Sequence, residues 1–424
     1  MRPSLLVIAA VLIAWLSVPA SPAAAQDHGA GVAAVVAAKR THSRWTGDPG
    51  IQLGLAFDYD AANSPSIARE VSYVFGGYFP DWNFGFYPSG PQLDGAMPFD
   101  IDPYAPAAPG HSLSDWQTTH PDWIVYQCNG VTPAYFGHGS FYVPLDISNP
   151  AVRAWQVQLG AALLQAGAQA ISVDDFNFTN YAGRCGVHRN GVWTRLGYPP
   201  RGGDNARFMG DMLTWLADFS SQLKQQFPTV RIDVNTSPSI SGLRNVETIT
   251  PLVDTVFDEA GFTGYGEGAL SGSAWLQEIK ALEYLNEHGK AVDVNGIVRA
   301  SSDGAVTHAQ INWVLANYLL VKGKRTYVYI YAGNHRGFAE APSGYGSFYD
   351  RRAYHAPIGY PTSPIVQYHG VYARGYSGGI AIVNPSNTKT ETVELGGRYT
   401  DLFRRRYQSV TLGPTRAIVL LRRR

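Results

Sequence analysis

The stretch Gly167-Ala-Gln-Ala-Ile-Ser-Val-Asp-Asp-Phe176 decides how the rest of the chain is read. A helical segment ends near Gly167, and a short apolar run follows through Ala170, Ile171 and Val173. A run this short between helical patterns reads as a strand buried on both faces of a parallel sheet. It stops on two adjacent carboxylates, Asp174 and Asp175. The C-terminal tip of a parallel strand is where open α/β sheets and barrels carry their chemistry. An Asp at such a place also serves as a cap for the next turn or helix. The neighbouring strands decide between the two roles.

Upstream, Val71-Ser-Tyr-Val-Phe75, Trp123-Ile-Val-Tyr126 and Phe141-Tyr-Val-Pro-Leu145 read as the first three strands, which makes 170–174 the fourth. Asn149-Pro150 opens a helix with an apolar stripe through Val152, Trp155, Leu159, Leu163 and Leu164. Downstream, strands are expected at 230–234, 253–257, 291–294 and 326–331, with helices over 205–227, 274–288 and 305–322 between them. Eight short apolar strands separated mostly by helices predict an α/β chain built as a (β/α)8 TIM barrel over residues 70–365. Short alternating segments with turn residues between them, over 366–424, predict a small C-terminal antiparallel β-sandwich domain. Residues 26–69 read as a lead-in segment; 51–57 has strand character, but Gly, Pro and Asn surround it.

Residues 1–25 carry the pattern of a cleavable signal peptide: Arg2, an apolar run over 5–18, and Ala23-Ala24-Ala25 before Gln26. The run is shorter than the roughly 20 residues a membrane span needs, so the expectation is a secreted or periplasmic protein with no membrane partner after cleavage. Charged residues are only 16% of the chain against 45% hydrophobic, which places it among compact globular proteins. A net charge of zero gives no electrostatic footprint for nucleic acid. The two cysteines, Cys128 and Cys185, are expected as a disulfide in an oxidising compartment, bracing loops after the second and fourth strands. Their spacing fits no zinc motif, and neither a metal nor another cofactor is expected. The sequence leaves the oligomeric state open.

Polar residues fall at the C-terminal ends of six consecutive strands: Asp146, then Asp174 and Asp175, Asn235, Asp258 and Glu259, Asn295, and Asn334 with His335. Polar side chains are costly inside a barrel but can converge at its mouth. Two carboxyls across a sugar-sized gap are what cleavage of a glycosidic bond requires, one ionised and one protonated. Asp174, continuing its strand directly, is the expected nucleophile, with Asp175 as the alternative. Glu259, with the longer side chain, is the expected acid/base, and side-chain alternation then turns Asp258 to the other face or to a supporting role. Asn235, Asn295 and Asn334 are candidate ligands for sugar hydroxyls, though Asn is also a turn residue. Asp146 either joins them or caps the helix that begins at Pro150. Tyr78, Trp82 and His335 are candidate subsite walls, with packing as the alternative.

Three segments together, Val143-Pro-Leu-Asp-Ile-Ser-Asn-Pro-Ala-Val-Arg-Ala-Trp155, Gly167 to Asp175, and Val253-Asp-Thr-Val-Phe-Asp-Glu-Ala-Gly261, resemble the α-galactosidase-type superfamily of barrel glycosidases. Within it the chain most resembles the hypothetical glycoside hydrolase-like family numbered fifteen, which is distinct from the glucoamylases. The likeness spans roughly residues 70–340, and a small C-terminal β-domain is usual in the superfamily. It implies a retaining hydrolase of a poly- or oligosaccharide, with Asp174 matching the nucleophile and Glu259 the acid/base. The Asp174-Asp175 doublet, the long first loop and the weak fifth helix depart from the pattern. Two other readings stand beside it: a silent barrel that binds glycan through an aromatic cleft, and a metal-dependent hydrolase on the same fold, which the absence of His-x-His weakens.

Overall fold

The computed structural model describes residues 31–39, 46–56, 71–75, 100–101, 113–134, 143–165, 168–174, 176, 178–265, 268–299, 306–332 and 351–423. Seven strands among them form one parallel sheet in the order Val71–Phe75, Leu53–Ala56, Thr326–Ala332, Ala291–Val298, Thr255–Asp258, Arg231–Asn235, Ala170–Val173. Every neighbouring pair is parallel. Leu53–Ala56, the earliest strand in the chain, pairs with Thr326–Ala332, the latest. A curled parallel sheet in which the first strand pairs with the last, and the strands between follow chain order around it, fits a TIM-like barrel.

The break in the ring lies between Val71–Phe75 and Ala170–Val173, where strands at 123–126 and 141–145 were expected. Neither joins the sheet. Ile124 and Tyr126 make isolated antiparallel bridges to Leu145, Pro133 and Gly186, and Val143–Pro144 pairs antiparallel with Asp100–Ile101. Pro144 has no N–H to give a ladder, and Pro133, the bridge partner of Tyr126, has none either. The two segments pack Trp116, Trp123, Ile124, Tyr126, Val143 and Leu145 into a satellite core, and Trp155 turns towards it rather than towards the sheet. The Pro150–Gln165 helix consequently buries Val152, Gln156, Val157, Gly160, Ala161 and Leu164, a face rotated from the expected stripe.

Leu53–Ala56, expected within a lead-in because Gly, Pro and Asn surround it, brings the sheet to seven strands. A Cβ at Gly54 would collide with the Asp293 carboxyl. The glycine is there for close approach. Val32–Ala38 is a short helix whose Val32 and Val36 pack on the C-terminal sheet.

Along the barrel strands, Ile171, Val173, Ile232, Val234, Val256, Val292 and Val294 belong to the main core shared with the helices. Alternate residues face the interior. There Tyr73 stacks on Tyr327 and Phe75 on Phe257. The same interior holds two fully buried carboxyls, Asp233 and Asp293, the first accepting the Tyr73 hydroxyl at 3.0 Å.

The C-terminal unit is a six-stranded antiparallel sheet, ordered Val366–Tyr368, Val371–Gly375, Gly379–Asn384, Arg416–Arg422, Glu391–Asp401, Arg406–Leu412. Between it and the barrel lies the His308–Val321 helix, buried at every residue from Ile311 on. A helix that is apolar all round needs two walls, and this one has them. The far sheet reaches it through the Tyr376 hydroxyl, which donates to the Leu319 carbonyl at 2.6 Å, and the Val419 amide, which donates to Asn312 Oδ1 at 3.2 Å. Thr307 and Gln310 close its N-terminus as a capping box.

Burial pushes the Asp233 carboxyl up from 3.8 to about 6. A raised carboxyl holds its proton longer in the folded chain than in the unfolded one. Its contribution is therefore intact below pH about 4 and is lost as pH rises through about 6. Asp233→Asn is expected to flatten the decline of the urea midpoint over that window; an unchanged decline would remove Asp233 as its source.

Candidate active site

Three strand tips converge. Asp174 follows Ala170–Val173, Asn235 closes Arg231–Asn235, and Glu259 follows Thr255–Asp258. The ladder continues past the strands to fix them: the Phe176 amide bonds the Asn235 carbonyl and the Thr236 amide the Phe257 carbonyl, both at 3.0 Å. From the strand between them, the Asn235 side-chain nitrogen donates to Asp174 Oδ1 at 2.6 Å and to Glu259 Oε2 at 2.8 Å. An amide nitrogen carries two hydrogens, and each carboxyl takes one. The residue expected as a sugar ligand instead joins the two expected catalytic carboxyls.

Glu259 Oε2 also accepts the Tyr265 hydroxyl at 3.1 Å, and that hydroxyl lies 3.4 Å from Ser237 Oγ. Burial pushes the Glu259 carboxyl up to about 7, and the Asp174 charge beside it adds to the rise; the bonds from Asn235 and Tyr265 oppose it. An acid near 7 still holds its proton in slightly acidic water, so the pair can carry one proton and one charge.

The other expected residues divide. Asp258, which precedes Glu259 in the chain, is fully buried and accepts the Gly261 amide at 3.0 Å. Asp146 gives its carboxylate to Ser148 and, at 2.8 Å, to Arg189, so it organises the turn before the Pro150–Gln165 helix. Asn295 does not end its strand. Ala291–Val298 runs three residues further, and register sets Asn295 one step beyond the Val294–Asp258 pair, beside the level of Glu259. It is buried, with its side-chain oxygen unpaired. Asp175, Tyr78, Trp82, Asn334 and His335 lie outside the described residues. Cys128 and Cys185 are joined, with Cα atoms 5.1 Å apart, and clamp two flanking loops.

Tyr265 and Ser237 were missed. Tyr265 sits in a glycine-flanked loop off any strand or helix period, where the sequence holds no signal for a partner.

No family model matches the chain, and no curated protein matches it. Among solved structures it is similar to an α-amylase from Lactobacillus plantarum, with 9% identity over 87% of this chain and 98% of that one and a TM-score of 0.48. It is also similar to the glycoside hydrolase domain of PelA from Pseudomonas aeruginosa, with 14% identity over 68% and 98% and a TM-score of 0.42. A third is the trehalose-6-phosphate hydrolase of Bacillus licheniformis, with 11% identity over 87% and 91% and a TM-score of 0.42. At such identities the chemistry has to be read from the side chains of this chain.

Because the Tyr265 hydroxyl bonds the charged form of Glu259, Tyr265→Phe is expected to raise the Glu259 pKa further. Carbon-13 NMR titration of the Glu259 carboxyl reads this directly. A downward shift would mean the hydroxyl is not a donor to that group.

Proposed function

We propose that the chain is a glycoside hydrolase that cleaves O-glycosidic bonds of a poly- or oligosaccharide by a retaining, two-carboxylate mechanism. The observation that carries this is the single Asn235 nitrogen shared between Asp174 and Glu259. The bridged oxygens can be no farther apart than those two bonds laid end to end, at 2.6 and 2.8 Å. That fits the ~5–5.5 Å of retaining enzymes and falls short of the ~6.5–9.5 Å that leaves room for water in inverting ones.

In this reading Asp174 attacks the anomeric carbon as Glu259 passes its proton to the departing glycosidic oxygen. A glycosyl ester on Asp174 results, and Glu259 is left ionised. Glu259 then takes a proton from water, the hydroxide oxygen bonds the anomeric carbon, and Asp174 leaves as carboxylate with Glu259 reprotonated. The pressure on Glu259 to stay protonated comes from burial and from the charge on Asp174; once that charge is spent in the ester, ionisation is easier. The likeness of 143–155, 167–175 and 253–261 to the α-galactosidase-type superfamily assigns the same two residues the same roles. The pattern of residues 1–25 adds export after cleavage ahead of Gln26.

The test is a glycan-panel hydrolysis screen of the mature protein, with Asp174→Asn and Glu259→Gln as controls. Each substitution is expected to lower turnover by roughly 10²–10⁴ while sugar binding persists. The sugar first released should keep its anomeric configuration by proton NMR. Activity should decline as pH rises through about 7, where Glu259 loses its proton. No product from any glycan with the unsubstituted protein would favour a barrel that only binds glycan.

A further inference from the structure

A second carboxyl pair lies behind the first. Asp258 and Glu278 are both 0% exposed. Asp258 closes its strand, and Glu278 faces it from the Gly272–Glu287 helix within hydrogen-bonding reach. One Asp258 oxygen accepts the Gly261 amide. Its other oxygen and both oxygens of Glu278 have no hydrogen-bond partner at normal geometry, although the Ser239 amide and hydroxyl face Glu278 and the Ser237 hydroxyl faces Asp258. The groups around the pair are Glu259 on the same turn, Asp293 on the next strand, and the Ser237 and Ser239 hydroxyls. Among the described residues no Lys, Arg or His acts on either carboxyl.

Two buried carboxylates in contact with no counter-charge cannot both ionise. A proton between them turns one orphaned acceptor into a donor and satisfies the other. We propose that Asp258 and Glu278 share one proton at neutral pH, and that this hydrogen bond latches the turn bearing Glu259 to the Gly272–Glu287 helix. The helix is a firm anchor, since Gln277 donates to the Pro238 and Ser239 carbonyls at 3.1 and 2.9 Å. Asp258 and Glu278 are thus positioning residues for the acid/base. Burial raises both carboxyls above the usual carboxylate range, and the proton belongs to the pair. The positioning part rests on the proposed hydrolase reading; the shared proton does not.

The two parts are tested together. Glu278→Gln replaces the proton with a fixed amide donor, and Glu278→Leu removes it. Stability by urea unfolding is followed from pH 5 to 9, with kcat and KM on a substrate from the panel. A group protonated when folded and ionised when unfolded makes stability fall as pH rises, so Glu278→Gln should decline less steeply than wild type by the equivalent of one proton. It should keep kcat within about threefold and the same pH optimum, while Glu278→Leu should lose roughly tenfold or more, mostly in kcat. Equal slopes for wild type and Glu278→Gln would overturn the shared proton. A changed slope with Glu278→Gln as impaired as Glu278→Leu would overturn the latch. If Glu278→Gln does not fold, Asp258→Asn places the amide on the other partner and carries the same slope test; failure of both to fold overturns the proposal, because either amide should satisfy the pair. A wild type inactive on every glycan defeats the hydrolase reading while the slope still decides the proton.

Discussion

A single side-chain nitrogen with two hydrogens holds the site together. Two carboxyls at neighbouring strand tips repel, and burial makes their charges dearer still. Asn235 sits on the strand between them and gives each a hydrogen, so the pair tolerates being close. The position of that amide follows from the sheet: Val173 pairs with Val234 and Asn235 with Phe257, so Asp174 stands level with Asn235 and Glu259 lies two residues beyond that level. Register on the strands thus becomes geometry at the mouth. Asp258 then has to point away, as alternation demands, and its meeting with Glu278 follows from the same strand.

Much of this could be read before any coordinates. Strands at Val71, Ala170, Arg231, Thr255, Ala291 and Thr326 announced themselves as short apolar runs, because their outer faces meet helices and their ends carry turn chemistry. Asp174 and Glu259 were legible for the same reason: each follows the last residue of such a run. The failures have separate physical causes. Runs around Trp123 and Val143 are as apolar as the true strands, yet their hydrophobic side chains serve a flank cluster, and Pro144 leaves the second run a donor short. Leu53–Ala56 was obscured by the Gly, Pro and Asn around it, and the need for Gly54, where a Cβ would meet the Asp293 carboxyl, is visible only in three dimensions.

Roles were harder to read than positions. Asn235 and Asp146 both lie at segment ends, and both looked like ligands for a sugar. One holds two acids and the other secures a turn through Arg189. Tyr265 lies six residues past Glu259 in a glycine-flanked loop, and Glu278 reaches the same strand tip from the middle of a helix, neither at a position that a strand or helix period marks as part of the site. The interior carries more acid than the hydrophobic pattern suggests, since Asp233 and Asp293 alternate with valines that dominate the reading of their strands.

The His308–Val321 helix has one face on the barrel and the other on the C-terminal sheet, with Arg374 of that sheet donating to the Leu320 and Lys322 carbonyls at its end. A helix with no polar side belongs to neither neighbour alone. Stripping away the sheet would lay Leu315, Leu319 and the rest of the outer stripe open to water, at about 25 cal/mol for each Å² of apolar surface uncovered. The last barrel strand, Thr326–Ala332, hangs directly from this helix and closes the ring against Leu53–Ala56. What reads along the chain as an appended module is, in space, the outer wall behind the helix that leads into the last barrel strand.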